Sequence, residues 1–174
     1  GILEQGKRAG LSGEKVTQFE TQLNASSEGV VSSDAGPQQL LGLYNQGRLE
    51  EALKLGVSLS QQHPNDADIP NILGAVETAR GNYDQAIALY NKAIKLKPGR
   101  ADFYNNLGKS FLENQNYRAC TASFTKAILL SPMSVEAYHN LGSSLSSQNE
   151  HQIAVQILSR GIILKPNIGA LHMS

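Results

Sequence analysis

The stretch NNLGKSFLENQNYRACTASFTKAILLSP, residues 105–132, decides the fold, because its layout occurs three times in the chain. The same arrangement precedes it as NILGAVETARGNYDQAIALYNKAIKLKP at 71–98 and follows it as HNLGSSLSSQNEHQIAVQILSRGIILKP at 139–166. An internal period of this size indicates a structural unit that is stacked along the chain, since each unit alone cannot bury its apolar face.

The period is 34 residues, and several columns of residues share it. Prolines recur at this step as Pro64, Pro98, Pro132 and Pro166. Small residues recur as Ala52, Ala86, Cys120 and Ala154. Leu-Gly pairs end at Gly74, Gly108 and Gly142. Four units are therefore predicted, at residues 33–66, 67–100, 101–134 and 135–168.

Each unit is predicted to contain two antiparallel helices. In the third unit Tyr104, Leu107 and Phe111 have the spacing of one helical stripe, and the second helix stops before Pro132. Breaks between paired helices are expected near Gly47, Gly81, Gln115 and Asn149. Two helices approach closely where small side chains meet, so Gly108 is expected to face the Cys120 column.

The repeated pattern Leu-Gly, Tyr or Phe, Ala, Tyr or Phe, Ala and Pro resembles that of the tetratricopeptide repeat (TPR) family over residues 33–168. The resemblance implies an all-α, right-handed superhelical solenoid of helix pairs, which serves as a protein-interaction scaffold and is not an enzyme. Its expected ligand is an extended peptide or a partner helix in the concave groove.

The opening unit suggests an alternative function. GLYNQGRLEEAL at 42–53 is similar to the first unit of bacterial repeat proteins that carry a glycosyltransferase, sulfotransferase or methyltransferase domain. That similarity implies an accessory, substrate-recruiting arm of a larger glycosyltransferase or sulfotransferase.

Composition and motifs argue against several other classes of function. Lys plus Arg and Asp plus Glu both number 15, so no net positive field attracts nucleic acid or an anionic membrane. No apolar run reaches the roughly 18 residues of a membrane span, and a cytoplasmic location is expected. Cys120 belongs to a packing column, and the four histidines lack the spacing of zinc ligands. No catalytic, cofactor-binding or metal-binding residue is predicted.

The first helices of this architecture line the groove with side chains that point away from the Leu-Gly stripe. The candidate binding residues are Asn71, Asn105, Asn106, Lys109, His139, Asn140 and Ser143. In the repeat arm of O-GlcNAc transferase, the column that matches Asn106 and Asn140 is an asparagine ladder that holds the substrate by its backbone. Ile72 interrupts that column here, so the predicted ladder has two members. The open alternative is that these amides only solvate an exposed helix face.

Both ends of the chain lie outside the four units. Residues 1–32 form an extension in which Val16, Phe19 and Leu23 share one face, so a short amphipathic helix is predicted. Residues 169–174 are the start of a truncated fifth unit. The last helix of the fourth unit keeps apolar residues that no following helix covers, and homo-association through this C-terminal end is predicted. These residues are Ile153, Ile157, Leu158, Ile162, Ile163 and Leu164.

Overall fold

The computed structural model describes residues 35–164, which form eight α-helices and no strand. The helices are α1 (Ala35–Asn45), α2 (Leu49–Gln62), α3 (Asp68–Ala79), α4 (Tyr83–Leu96), α5 (Ala101–Glu113), α6 (Tyr117–Leu130), α7 (Val135–Ser147) and α8 (His151–Leu164). The all-α class and the arrangement in helix pairs are confirmed. The predicted helix near Val16 and the fifth unit at 169–174 lie outside the described residues. The chain divides into compact units of residues 1–38 and 39–174, and the packing described below belongs to the second.

The turn between the two helices of each pair contains one residue with a left-handed backbone conformation. The φ angle is 72° at Gly47, 79° at Gly81, 56° at Gln115 and 64° at Asn149, so all four predicted breaks are confirmed. In the third unit Asn116 N–H donates to Phe111 O at 2.8 Å and Gln115 N–H to Leu112 O at 3.0 Å. This pair of bonds is the Schellman motif, which closes a helix that ends in a left-handed residue.

Replacing Gln115 by glycine should stabilise the protein, because a side chain in the left-handed region is strained and glycine is not. We expect the Gln115→Gly variant to gain about 1 kcal/mol in the free energy of unfolding. Urea denaturation measures the change, and the reverse substitution Gly81→Gln is the matched control, with a loss of similar size expected. If Gln115→Gly proved neutral while Gly81→Gln was also tolerated, strain at these turns would be ruled out.

Apolar clusters join neighbouring units rather than lying inside one unit. Phe103 of α5 packs with Ala67 and Ala93 of the preceding unit. In the same way Leu141 of α7 packs with Phe124 of α6. Because each core crosses a unit boundary, a single unit cannot complete its own core, and the stack is stabilised as a whole.

The repeated glycines make room for large side chains, and a Cβ atom at Gly142 would also lie 3.4 Å from Ala154 O, in the small column of Cys120. A Cβ atom at Gly108 would lie 2.6 Å from Cε1 of the Phe124 ring, and one at Gly74 would lie 2.8 Å from the Tyr90 ring. The fully buried Cys120 also contacts the next unit, where its Sγ is 3.1 Å from Ser144 Oγ. The aromatic ring of the second helix reaches across to the first helix, so a large side chain packs against a glycine.

The first unit exchanges large and small residues at these two columns. Leu40 occupies the glycine column and is fully buried, whereas Gly56 occupies the column of Tyr90 and Phe124. A Cβ atom at Gly56 would collide with the Leu73 side chain of the following unit. Leu73 therefore fills the space that an aromatic ring fills elsewhere, so the atypical first unit still pairs a large with a small residue.

Candidate protein-binding face

The seven candidate residues lie on three first helices that stand side by side. Helix α3 contacts α5, and α5 contacts α7, so their faces are continuous. We call this surface the first-helix face and define it by the residues Asn71, Asn105, Asn106, Lys109, His139, Asn140 and Ser143. Asn105 is buried, Lys109 and His139 are exposed, and the other four are half-buried.

Two hydrogen bonds between asparagines connect successive units on this face. Asn106 Nδ2 donates to Asn71 Oδ1 at 3.1 Å, and Asn140 Nδ2 donates to Asn105 Oδ1 at 2.9 Å. Both bonds span 35 residues, one more than the period. The extra residue shows that each bond runs between two adjacent columns, from the second asparagine column of one unit to the first column of the unit before it.

This geometry changes the sequence-based view of Asn106 and Asn140. The sequence predicts a ladder of these two residues alone, but each donates a hydrogen bond to an asparagine of the first column. Asn71 and Asn105 therefore orient the amides, and the arrangement involves both columns. The sequence contains a pattern that indicates both columns. Asn71 lies one period before Asn105, and Asn140 lies one period after Asn106.

Glu136 links Asn105 and Lys109 in the same network. Its Oε1 accepts from Asn105 Nδ2 at 2.9 Å and from Lys109 Nζ at 2.7 Å. The hydrogen bond from Lys109 is the main reason that the pKa of the Glu136 carboxyl lies below its usual value. Lys109 is consequently paired with a carboxylate, and this pair gives the face no net charge.

A second polar contact connects α3 to α5 beneath this face. Thr78 Oγ1 donates to Gly74 O at 2.8 Å and lies 2.7 Å from Ser110 Oγ. Burial raises the pKa of the neighbouring Tyr90 phenol to about 12. These hydroxyls belong to the packing between units, since Ser110 and Tyr90 are both buried.

Similarity to known proteins identifies the repeat. The TPR repeat description matches residues 74–115, and the tetratricopeptide repeat description matches residues 101–132 and 135–168. The chain belongs to the tetratricopeptide repeat family. No curated protein matches the sequence.

Solved structures of other TPR proteins share the fold. MamA is 17% identical, covers 94% of this chain and 94% of its own, and has a TM-score of 0.70. MamA from Desulfovibrio magneticus RS-1 is 18% identical, with 94% and 90% covered and a TM-score of 0.70. PilF from Pseudomonas aeruginosa is 23% identical, with 76% and 61% covered and a TM-score of 0.71. At these identities the similarity shows the TPR fold alone.

Within this TPR protein the structure separates packing groups from groups that can meet a ligand. Burial raises the pKa of the Cys120 thiol, which lies in the core and is poorly suited to nucleophilic attack. No group of three or more His, Cys, Asp or Glu side chains in residues 35–164 could hold a metal ion. None of the eight described helices is long and apolar enough to span a membrane.

One buried acidic residue, Glu77, was not predicted from the sequence. Glu77 stands in the column of Leu43, Phe111 and Leu145, and only 5% of its surface is exposed. Its carboxylate accepts from Arg80 Nη1 at 3.0 Å and from Asn82 Nδ2 at 2.7 Å. An acidic residue in an otherwise apolar column is the sequence feature that could have indicated this buried position. Because Arg80 and Asn82 flank Gly81, these contacts stabilise the turn at Gly81.

Proposed function

We propose that this chain is a non-catalytic TPR binding module whose first-helix face holds an extended peptide. The observation that carries the proposal is the pair of asparagine bonds, Asn106 to Asn71 and Asn140 to Asn105. They fix two amides in the same orientation one unit apart before any ligand arrives. Fixing the binding groups beforehand lowers the entropy cost of binding.

The side-chain amides of Asn106 and Asn140 can still form hydrogen bonds with a ligand. An asparagine side chain has two donor hydrogens and an oxygen with two lone pairs, and the bond to the neighbouring unit uses one hydrogen. The Oδ1 atoms of Asn106 and Asn140 can therefore accept from backbone N–H groups of a bound chain. Because Lys109 is paired with Glu136, recognition at this point relies on hydrogen bonds rather than on net charge.

The spacing of the amides favours an extended ligand over a helix. Adjacent packed helices lie about 8–10 Å apart, which sets the approximate distance between equivalent groups of successive units. A polyproline II chain advances about 3.1 Å per residue with three residues per turn, so its equivalent N–H groups recur every 9.3 Å or so. Two amides at this distance match N–H groups three residues apart on one side of such a peptide.

The class of partner and the location of the protein also stay predictions. The expected partner is a protein or peptide, without nucleic acid or membrane, and the expected location is the cytoplasm. The alternative role as the accessory arm of a glycosyltransferase or sulfotransferase stays a prediction, and no contact in the described residues favours it over the simple binding module.

Blocking the face should weaken peptide binding without unfolding the protein. We expect peptides selected from a random library on the wild-type chain to bind Ser143→Arg at least about tenfold more weakly, because a long side chain would cover the neighbouring amides. Fluorescence anisotropy measures the affinity. Ala122→Arg, on the exposed side of the second helix α6, is the matched control and should bind as the wild type.

Selected peptides that bound Ser143→Arg and the wild type equally would contradict this assignment. Substituting Asn106 and Asn140 by alanine is a weaker test, because it also removes two hydrogen bonds between units. Each bond contributes about 0.5–1.5 kcal/mol to stability, so lost affinity and lost folding would be mixed.

A further inference from the structure

The second helices α4 and α6 have a solvent-exposed side that the following units leave uncovered. Both helices pack on α5, which follows α4 and precedes α6 in the chain, so α5 holds the two in place. Helix α7 of the next unit packs on α6, and the exposed side stays open with that unit present. We call this surface the outer face and define it by the exposed residues Lys92, Lys95, Arg118, Ala122, Lys126, Leu129 and Met133.

Most of the outer face is one stripe along α6. Arg118, Ala122, Lys126 and Leu129 succeed one another at spacings of four or three residues, which places them on the same side of the helix. From Arg118 to Leu129 the helix rises about 16 Å, or about three turns. The stripe is therefore long enough for a second helix to lie along it.

The outer face is basic, although the chain as a whole has no net charge. Lys92 and Lys95 are the basic residues of α4, and Arg118 and Lys126 are those of α6. Asp84, at the start of α4, is the one acidic residue in the two helix sequences. Such a surface attracts an acidic partner and repels a basic one.

The basic side chains of the outer face differ from those elsewhere in the described helices. Lys109 pairs with Glu136, and Arg100 pairs with Asp102 at 2.6 Å. Within residues 35–164 no ion pair involves a basic side chain of the outer face. These charges are therefore not used to hold the helices of the stack together.

Two large apolar side chains are exposed at one end of the outer face. Leu129 is 70% exposed, and Met133, in the loop after α6, is 69% exposed. Helices α7 and α8 follow both residues, so the next unit is present and does not cover them. Ala122, in the middle of the stripe, is small and allows another helix to approach closely. A ligand that matches this surface combines carboxylates with apolar side chains at one end.

The chemistry of the outer face favours a helix as this ligand. None of its side chains has an oxygen or nitrogen acceptor, so the backbone N–H groups of an extended peptide would have no partner there. A helix satisfies its own backbone and needs only side-chain contacts. A membrane surface suits a broad apolar side rather than apolar residues at one end. Nucleic acid would leave the apolar side chains unmatched, since its binding depends mainly on phosphates.

We propose that the outer face binds an acidic amphipathic helix of a partner protein, which lies along α6. Two carboxylates of this helix pair with Arg118 and Lys126, and an apolar side chain beyond them packs on Leu129 and Met133. Because Arg118 and Lys126 are about 12 Å apart along the helix axis, the two carboxylates must be about eight residues apart. This second binding surface goes beyond the proposed peptide site and does not use the first-helix face.

Selection from a displayed library of helical peptides tests the proposal. The Ser143→Arg variant serves as bait, because it blocks the first-helix face and leaves the outer face unchanged. Selected helices should contain more Asp and Glu than Lys and Arg, with acidic residues about eight positions apart. Fluorescence anisotropy should show that Lys126→Glu weakens their binding at least about tenfold.

Lys54→Glu is the matched control, since it makes the same charge change at an exposed residue of α2 outside the outer face. It should bind the selected helices within about twofold of the bait affinity. Circular dichroism should show that both variants keep the helix content, because both lysines are exposed. A selected helix whose acidic residues are replaced by lysine should bind Lys126→Glu more tightly than the chain with Lys126.

Several outcomes would overturn the proposal. They are the absence of any selected helix, selected helices without an excess of acidic residues, and equal losses for Lys126→Glu and Lys54→Glu. Vesicles of phosphatidylcholine and phosphatidylserine, and a single-stranded DNA oligonucleotide, test the other occupants. If either probe bound the wild type but not Lys126→Glu while no helix was selected, the outer face would be a membrane or nucleic-acid surface. Peptides selected on the first-helix face should bind Lys126→Glu as they bind the wild type, so the two proposals can fail independently.

Discussion

Gly108→Ala should lower the free energy of unfolding by about 2 kcal/mol, although alanine is normally the better helix residue. The added Cβ would lie 2.6 Å from Phe124 Cε1 and 2.7 Å from Cδ1. Phe124 is fully buried, so its ring has little room to move. Overpacking a core costs about 1–3 kcal/mol, with this close contact at the upper end, and the gain in helix propensity offsets about 1 kcal/mol.

Gly42→Ala is the matched control for this prediction. Gly42 also lies inside a helix, α1, but a Cβ atom there would have nothing within 4 Å. The same substitution should therefore stabilise the protein by about 0.5–1 kcal/mol. Chemical denaturation of the two variants compares them directly. Changes of the same sign would show that the glycines of the Leu-Gly pairs are not packing positions.

A double-mutant cycle tests the assigned partner of Gly108. Phe124→Ala alone should cost about 3–5 kcal/mol, because it removes a buried ring. In that background Gly108→Ala should no longer destabilise, since the space next to its Cβ is empty. A coupling energy of about 2 kcal/mol or more is expected, and additive effects would show that the two residues do not share this space.

The second large effect is a loss of stability at high pH that depends on Tyr90. Burial raises the pKa of Tyr90 to about 12, and the Thr78 and Ser110 hydroxyls beside it act in the opposite direction. An unfolded tyrosine has a pKa of about 10. Above pH 10 the unfolded state loses a proton that the folded state keeps, so ionisation favours unfolding.

The size and the pH range of this effect follow from the two pKa values. The contribution of Tyr90 is fully present below pH 10 and is lost as the pH rises towards 12. The difference of two pKa units corresponds to at most about 2.7 kcal/mol, of which about 1.4 kcal/mol should be lost by pH 11. Urea denaturation between about pH 9 and pH 11.5 measures the loss.

Tyr90→Phe separates this effect from other alkaline changes. The variant cannot ionise at this position, so its stability should decrease less steeply with pH than that of the wild type. Tyr117→Phe changes an exposed ring and should keep the wild-type slope, because Tyr90 is still present. Identical slopes for the wild type and Tyr90→Phe would refute the assignment.

The sequence by itself determined the fold. The prolines, the Leu-Gly pairs and the small column repeat every 34 residues, and these local signals specify where helices turn and which stripe is buried. All four turns were predicted, including those at Gln115 and Asn149, because period and turn chemistry agreed there. The seven candidate residues of the first-helix face were also chosen from their periodic positions, and their role in binding stays a prediction.

Only the tertiary structure decided which side chains meet across helices and units. It places Gly108 against Phe124, joins Asn106 to Asn71, and pairs Lys109 with Glu136. The physical reason is one of distance. A repeat period fixes which residues share a column, but a contact between columns depends on side-chain length and on how closely two helices approach. Those quantities arise only when the units pack, so the same period is compatible with different partners for each side chain.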